Sequence, residues 1–155
     1  MLKLSTSLKN KNITISVAES CTGGLLASHL TDISGSSQYF IGGVIAYNRF
    51  VKTKLLNVPE KIEVVSPQTA IMMNAGLKNL LPSDIQVSVT GYIGENYNTH
   101  ELSNTIYYAI FYNYINSVYK IELQKPFDTR YEAKLQIVMN IIDNLYKLIE
   151  VNVLF

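Results

Sequence analysis

The sequence predicts an α/β fold: three α/β/α layers around a mixed, mainly parallel sheet, completed by a C-terminal hairpin and a long helix. Three observations carry this expectation. β-branched runs and helical apolar periodicities alternate through the first two-thirds of the 155 residues, the order that builds a sheet covered by helices on both faces. Two aromatic, strand-like runs then follow one another directly, as in an antiparallel pair. The final stretch repeats apolar residues at helical spacing.

Each element has its own local warrant. Met1-Leu2-Lys3-Leu4-Ser5 lacks the unbroken apolar core of a signal peptide and reads as an amphipathic first helix. Ile13–Ala18 alternates β-branched with small polar residues, a strand pattern. Leu25, Leu26, His29, Leu30 and Ile33 fall on one helical face that stops near Gly35. Tyr39–Tyr47 is β-rich, and its Gly42-Gly43 pair marks a bulge or a close backbone approach. Phe50, Leu55 and Leu56 suggest a short helix ended by Pro59.

Ser66 followed by Pro67 is an N-cap with proline in the first helical position, and Ile71, Ala75, Leu77 and Leu80 continue that helix. Ile85–Thr90 is a third strand, and Gly91–Ser103 is polar and irregular. Thr105–Tyr112 and Ser117–Leu123, joined by Asn113–Asn116, form the expected hairpin. Arg130–Ile149 carries Leu135, Val138, Ile141, Ile142, Leu145 and Leu148 on one helical face. The apolar tail Val151–Phe155 is expected to dock on the domain or on a partner.

Composition narrows the function classes. The length fits one domain, residues 1–155, able to bury roughly two-thirds of its unfolded surface. A net charge of +1 with 16% charged residues gives no footprint for nucleic acid and no polybasic membrane surface. No apolar run reaches the ~18 residues that span a bilayer. The lone Cys21 excludes an internal disulfide and fits a reducing compartment, so the expected location is cytoplasmic. One cysteine and two distant histidines, His29 and His100, supply no metal-ligand pair, and the phosphate-loop and dinucleotide fingerprints are absent. Neither a metal nor a cofactor is expected.

The string "AESCTGG", Ala18–Gly24, is where chemistry is most concentrated. Small polar residues at a strand exit build a poor core and a good site. Ser20 is a candidate nucleophile, with the N–H groups of Cys21, Thr22, Gly23 and Gly24 as donors to an anion or oxyanion. The competing plain reading makes Ser20 or Thr22 an N-cap. Cys21 is a rival nucleophile, for which only His29 and His100 are possible bases. Downstream, Tyr47, Lys52 and Lys54 offer a lysine of lowered pKa, or a tyrosine polarised by a lysine, to activate a serine; otherwise they are a solvated lysine face and a strand-end aromatic. Ligands in such sheets collect at strand exits, and Ser20–Gly24 and Thr90–Gly94 both occupy one.

Taken together, Ala18–Gly24, the spaced Gly43/Tyr47/Lys52, "VSPQTAIMM" and "VSVTGYIG" closely resemble the CinA C-terminal domain family, over about Ile13–Leu148. Characterised members of that family are nicotinamide-nucleotide amidohydrolases. The resemblance implies a stand-alone form that deamidates nicotinamide mononucleotide to nicotinate mononucleotide and ammonia. It implies Ser20 as nucleophile, with Tyr47 and Lys52 as its activators; nothing besides the resemblance selects Lys52 over Lys54. It further implies that Cys21, Thr22, Gly23 and Gly24 bind substrate, with Thr90 and Gly91 at the pocket wall and Arg130 on the phosphate. The partner implied is a pyridine mononucleotide, and the family's tendency to associate implies a homo-oligomer.

The chain departs from the family pattern after Thr90-Gly91. Glu95, Asn96, Tyr97 and Asn98 stand where proline and glycines are expected, and the late G-D-R reads Asp128-Thr129-Arg130. Side chains in place of glycines reshape a wall that a ligand would touch, and Glu95 and Glu101 bring negative charge toward a phosphate. The departure therefore leaves a second reading beside the first: a relative that binds a nucleotide-like ligand or a protein partner without turnover.

Overall fold

The computed structural model describes residues 1–94, 103–124 and 127–151. The altered segment 95–102, with His100, Glu95 and Glu101, lies outside the described residues, as does the tail from 152 to 155. Five strands form one sheet. They are β1 (Ile15–Glu19), β2 (Phe40–Ile45), β3 (Ile85–Gly91), β4 (Thr105–Tyr112) and β5 (Ile115–Glu122), in the order β2-β1-β3-β4-β5. β2 and β3 pair parallel with β1, β4 is antiparallel to β3, and β5 is antiparallel to β4. Only β4 therefore runs against the rest, and the expected mixed, mainly parallel sheet is the one observed.

Helices α1 (Leu2–Asn10), α2 (Leu25–Thr31) and α5 (Arg130–Val151) cover one face. Their Leu4, Leu8, Leu26, Leu30, Ile137 and Ile141 pack on Ile15, Val17, Val87 and Ile110 of the sheet. Helices α3 (Arg49–Leu56) and α4 (Pro67–Leu80) cover the other, where Leu56, Met73 and Leu77 meet Ala18, Val44 and Ala46. The division follows from the two-residue period of the strands: Ile15 and Val17 point to one layer, Ala18 to the other. β1, between two parallel neighbours and two helical layers, is buried at every residue.

Two local expectations hold, each for a physical reason visible in the structure. Ser66 caps α4 as expected, its Oγ accepting from the Thr69 N–H over 3.1 Å with Pro67 in the first turn. Gly42-Gly43 serves both of the roles foreseen for it. The β1–β2 register slips between Ile15 and Ser16, and a Cβ on Gly43 would stand 2.6 Å from Val17 Cγ2.

Three expectations need correction. α3 ends not at Pro59 but at Asn57, whose left-handed φ of +55° closes the helix. The helical face from Leu25 stops at Thr31, and Ile33 lies beyond it. The hairpin turn is the pair Asn113-Tyr114 rather than Asn113–Asn116. Both have positive φ, +50° and +65°, the combination that matches a two-residue turn to strand twist, so β5 begins at Ile115.

Candidate active site

β1, β2 and β3 deliver their C-terminal ends to one edge of the sheet, and the residues singled out above gather there. Ser20 is the first residue past β1, with its N–H bonded to the Val89 carbonyl of β3 at 3.0 Å. The chain then turns through Ser20–Gly24 into α2. Gly23 and Gly24 hold φ of +62° and +98°, a backbone that side-chain-bearing residues rarely adopt. The two glycines are thus explained by the tightness of this turn.

α3 presents Lys52 from the opposite layer. The Asn48 side chain caps that helix by accepting from the Phe50 N–H at 2.8 Å, which fixes where its first turns begin. Lys52 is 1% exposed. Its Nζ donates to Ser20 Oγ at 2.8 Å, to the Ala46 carbonyl at 2.6 Å and, more distantly, to the Tyr47 carbonyl at 3.4 Å. Burial is the main cause that lowers its pKa to about 8; the nearby Arg49 acts in the same direction and Cys21 opposes it. Ser20 itself is 6% exposed. A buried lysine close to neutrality, in contact with a serine hydroxyl, can accept that hydroxyl's proton. Lys54, by contrast, is exposed, so the tertiary structure separates the two lysines.

The rival nucleophile is disarmed. Cys21 is buried, and burial pushes its thiol up to about 12, which leaves almost no thiolate at neutral pH. His29 bonds through Nδ1 to the Leu25 carbonyl one turn earlier in its own helix, the packed role open to it from sequence.

Tyr47 is placed differently from its expected role. β2 ends at Ile45, and the Tyr47 side chain is 59% exposed two residues later. Its phenol accepts from Arg130 Nη2 at 3.4 Å, and among the described residues no hydrogen bond joins it to Ser20 or Lys52. The main chain of Tyr47 meets the lysine, not the ring. Arg130, the first residue of α5, also donates to the Ile93 carbonyl just past β3. Arg130 and Tyr47 therefore flank the same sheet edge as the Ser20–Lys52 pair.

Of the four amides expected to face an anion, two are engaged within the protein. Gly23 N–H bonds to the Ser20 carbonyl at 3.0 Å, and Gly24 N–H to Glu19 Oε2 at 3.1 Å. Among the described residues no oxygen accepts from the N–H of Cys21 or Thr22, and the buried Thr22 hydroxyl has no hydrogen-bond partner. Thr90 and Gly91 serve packing. Thr90 is buried, and its hydroxyl donates to the Val64 carbonyl at 2.8 Å. A Cβ on Gly91 would lie 2.4 Å from Ile106 Cδ1 and 3.0 Å from the Thr105 carbonyl oxygen, so β4 by itself requires the absence of a side chain.

Two features escaped the sequence. The Ala46 carbonyl, Lys52's nearest acceptor, carries no side-chain signal. Glu19 is fully buried, and its carboxylate accepts from three main-chain N–H groups at the start of α2.

Comparison with known proteins fits this description. The model of the CinA C-terminal domain family matches residues 1–149. A CinA-like protein of Desulfotalea psychrophila is 44% identical over 108 residues, which are 66% of this chain and 26% of that protein. A CinA-like protein of Trichormus variabilis is 50% identical over 93 residues, 57% of this chain and 22% of that protein. The chain thus spans about a quarter of the length of the curated relatives it matches. Among solved structures, a competence or damage-inducible protein from Enterobacter asburiae shares the fold with a TM-score of 0.86. It is 22% identical, with 96% of this chain and 94% of that one covered. A competence/damage inducible protein from Agrobacterium tumefaciens superposes with a TM-score of 0.81 at 28% identity, covering 95% and 92%. No helix among the described residues is long and apolar enough to cross a membrane, and no cluster of metal-ligating side chains occurs among them. The chain belongs to the CinA C-terminal domain family.

Proposed function

We propose that this chain is a serine amidohydrolase that converts nicotinamide mononucleotide to nicotinate mononucleotide and ammonia. The observation that carries the proposal is the 2.8 Å contact between Lys52 Nζ and Ser20 Oγ, made by a lysine whose pKa is lowered to about 8. The substrate class comes from the family resemblance, and the chemistry from the pair.

With Lys52 neutral, Ser20 passes its proton to Nζ as Oγ attacks the carboxamide carbon. The carbonyl electrons move onto oxygen, and the N–H groups of Cys21 and Thr22 are the main-chain donors open to receive that charge. One such donor typically contributes about 3–4 kcal/mol. Collapse breaks the C–N bond, Lys52 returns the proton to the departing nitrogen, and ammonia leaves. Water then loses a proton to Lys52 and adds to the ester; Oγ departs with that proton, and nicotinate mononucleotide is released. Arg130, beside Tyr47, is the cation at this edge suited to a phosphate, with a planar fork that a lysine lacks.

The departure of residues 95–98 from the family pattern favours a second reading, ligand binding without turnover. One experiment separates the two. Purified protein is incubated with nicotinamide mononucleotide, and ammonia and nicotinate mononucleotide are measured beside Ser20→Ala. Turnover lost in the variant supports the hydrolase. Turnover that survives removes Ser20 as nucleophile, and binding with no turnover in either protein supports the second reading.

A further inference from the structure

We propose that Glu19 is a positioning residue for the nucleophile turn, its carboxylate holding Ser20 in attacking geometry by gripping the first turn of α2. The inference rests on the serine-hydrolase reading. Glu19 is the last residue of β1, fully buried and immediately before Ser20. Its Oε2 accepts from the N–H of Gly24 and of Leu26, each at 3.1 Å, and its Oε1 from the N–H of Ala27 at 2.8 Å.

These bonds reach from the residue before the nucleophile to residues four, six and seven positions after it. Ser20 thereby sits inside a closed ring of covalent and hydrogen bonds. A helix start normally satisfies such N–H groups with the side chain of its own cap residue. Here the cap is Gly24, which has no side chain, and its φ of +98° disfavours a residue that has one. The turn that exposes Ser20 thus requires glycine at the cap, and the glycine leaves donors that Glu19 fills from the strand. Burying a carboxylate is costly without partners, and here it has three. A second consequence concerns substrate: the start of α2 is occupied by this chain's own carboxylate, so an anionic group of a ligand finds no donors there.

The test uses the full chain, with Glu19→Gln and Glu19→Asp, and reads two things. One is the rate at which a fluorophosphonate, a serine-directed reagent, labels Ser20; the other is turnover of nicotinamide mononucleotide. Glutamine keeps the size of Glu19 but sets an NH2 against main-chain donors. Sub-ångström displacement of a nucleophile costs about 10- to 100-fold, so labelling and kcat should fall together by that factor in Glu19→Gln, with KM nearly unchanged. Glu19→Asp keeps the charge on a shorter stem and should fall between wild type and Glu19→Gln. A role confined to holding the helix lowers the unfolding temperature but leaves the folded protein's labelling rate alone. Labelling of folded Glu19→Gln within about twofold of wild type overturns the inference. If circular dichroism finds Glu19→Gln unfolded, Glu19→Asp decides by the same criterion. Wild type that labels at Ser20 without turning over the mononucleotide overturns the deamidase reading and leaves this one standing. Wild type that does not label at all overturns both.

Discussion

Lys52 Nζ reaches the Ala46 carbonyl over 2.6 Å, closer than it comes to any other acceptor among the described residues. Ala46 follows the edge strand β2, and Lys52 lies on α3, so this bond orients the amine from one side while Ser20 meets it from another. Burial disfavours the ammonium and outweighs the opposing influence of Cys21, so the pKa is lowered. The result is an amine that is partly unprotonated near neutral pH and already in contact with the hydroxyl it is proposed to deprotonate.

Replacement of Lys52 by Met should abolish turnover while sparing the fold. General-base removal typically costs about 10²- to 10⁴-fold, and Met nearly matches the lysine stem in volume. Ammonia release and far-ultraviolet circular dichroism, measured on the same sample, check both halves. Activity within about tenfold of wild type would exclude Lys52 as the base.

Turnover should rise with pH and level off above about 8, the value to which Lys52 is lowered. The neutral amine is the competent form, and its fraction grows through that pH. A kcat/KM profile from acid to mildly alkaline buffer, which reports groups of the free enzyme, tests this, and a value that falls as pH rises toward 8 contradicts it.

Stability should also depend on pH, with a sign that changes. Lys52 is lowered from 10.5 to about 8, so above pH 8 the unfolded chain holds a proton that the folded chain has lost, and stability rises with pH. Cys21 is raised from 9.0 to about 12, so above pH 9 the folded chain keeps a proton that the unfolded chain loses, and this contribution falls. Tyr108, raised from 10.0 to about 12 by burial, adds to that fall from pH 10. Urea denaturation should therefore report a net gain of about 0.6 kcal/mol between pH 8 and 9, then a plateau and a decline. Lys52→Met should remove the gain, and Cys21→Ala should weaken the decline.

Gly76→Ala should destabilise the protein and reduce its activity together. A Cβ there would stand 2.2 Å from the Leu56 carbonyl oxygen, where α4 crosses the end of α3. Backbone cannot swing aside as a side chain does, so α3 must move and carry Lys52 with it. Overpacking of this kind costs about 1–3 kcal/mol, readable as a lower urea midpoint. An unchanged midpoint would mean that the two helices have slack at this crossing.

Tyr47→Phe should keep kcat within about tenfold of wild type, because the phenol bonds to Arg130 and not to Ser20 or Lys52. Arg130→Ala should raise KM for the mononucleotide more than it lowers kcat, since the proposal places the guanidinium on the phosphate and away from the reacting carbon. Steady-state kinetics on both variants check the assignment. A phenylalanine variant with kcat down by about 100-fold or more would restore the ring to the proton relay.

Local pattern alone determined the layered architecture, the capped start of α4 at Ser66-Pro67, the hairpin and the α5 face, because each depends on residue spacing or on φ preferences of nearby residues. It also singled out Ser20–Gly24 as the candidate site, since a cluster of small polar residues between two buried elements has little to offer a core. Tertiary structure decided the rest. Lys52 and Lys54 lie two positions apart on a helix, and only the packing of α3 against the sheet turns one inward to Ser20 and leaves the other in solvent. The same holds for Glu19, whose partners are backbone amides, for Ala46, which acts through its carbonyl, and for Gly91, required by Ile106 on a strand more than ten residues away. Every residue but proline carries the same main-chain donor and acceptor. Which of them meet a buried charge is decided only when the chain has folded.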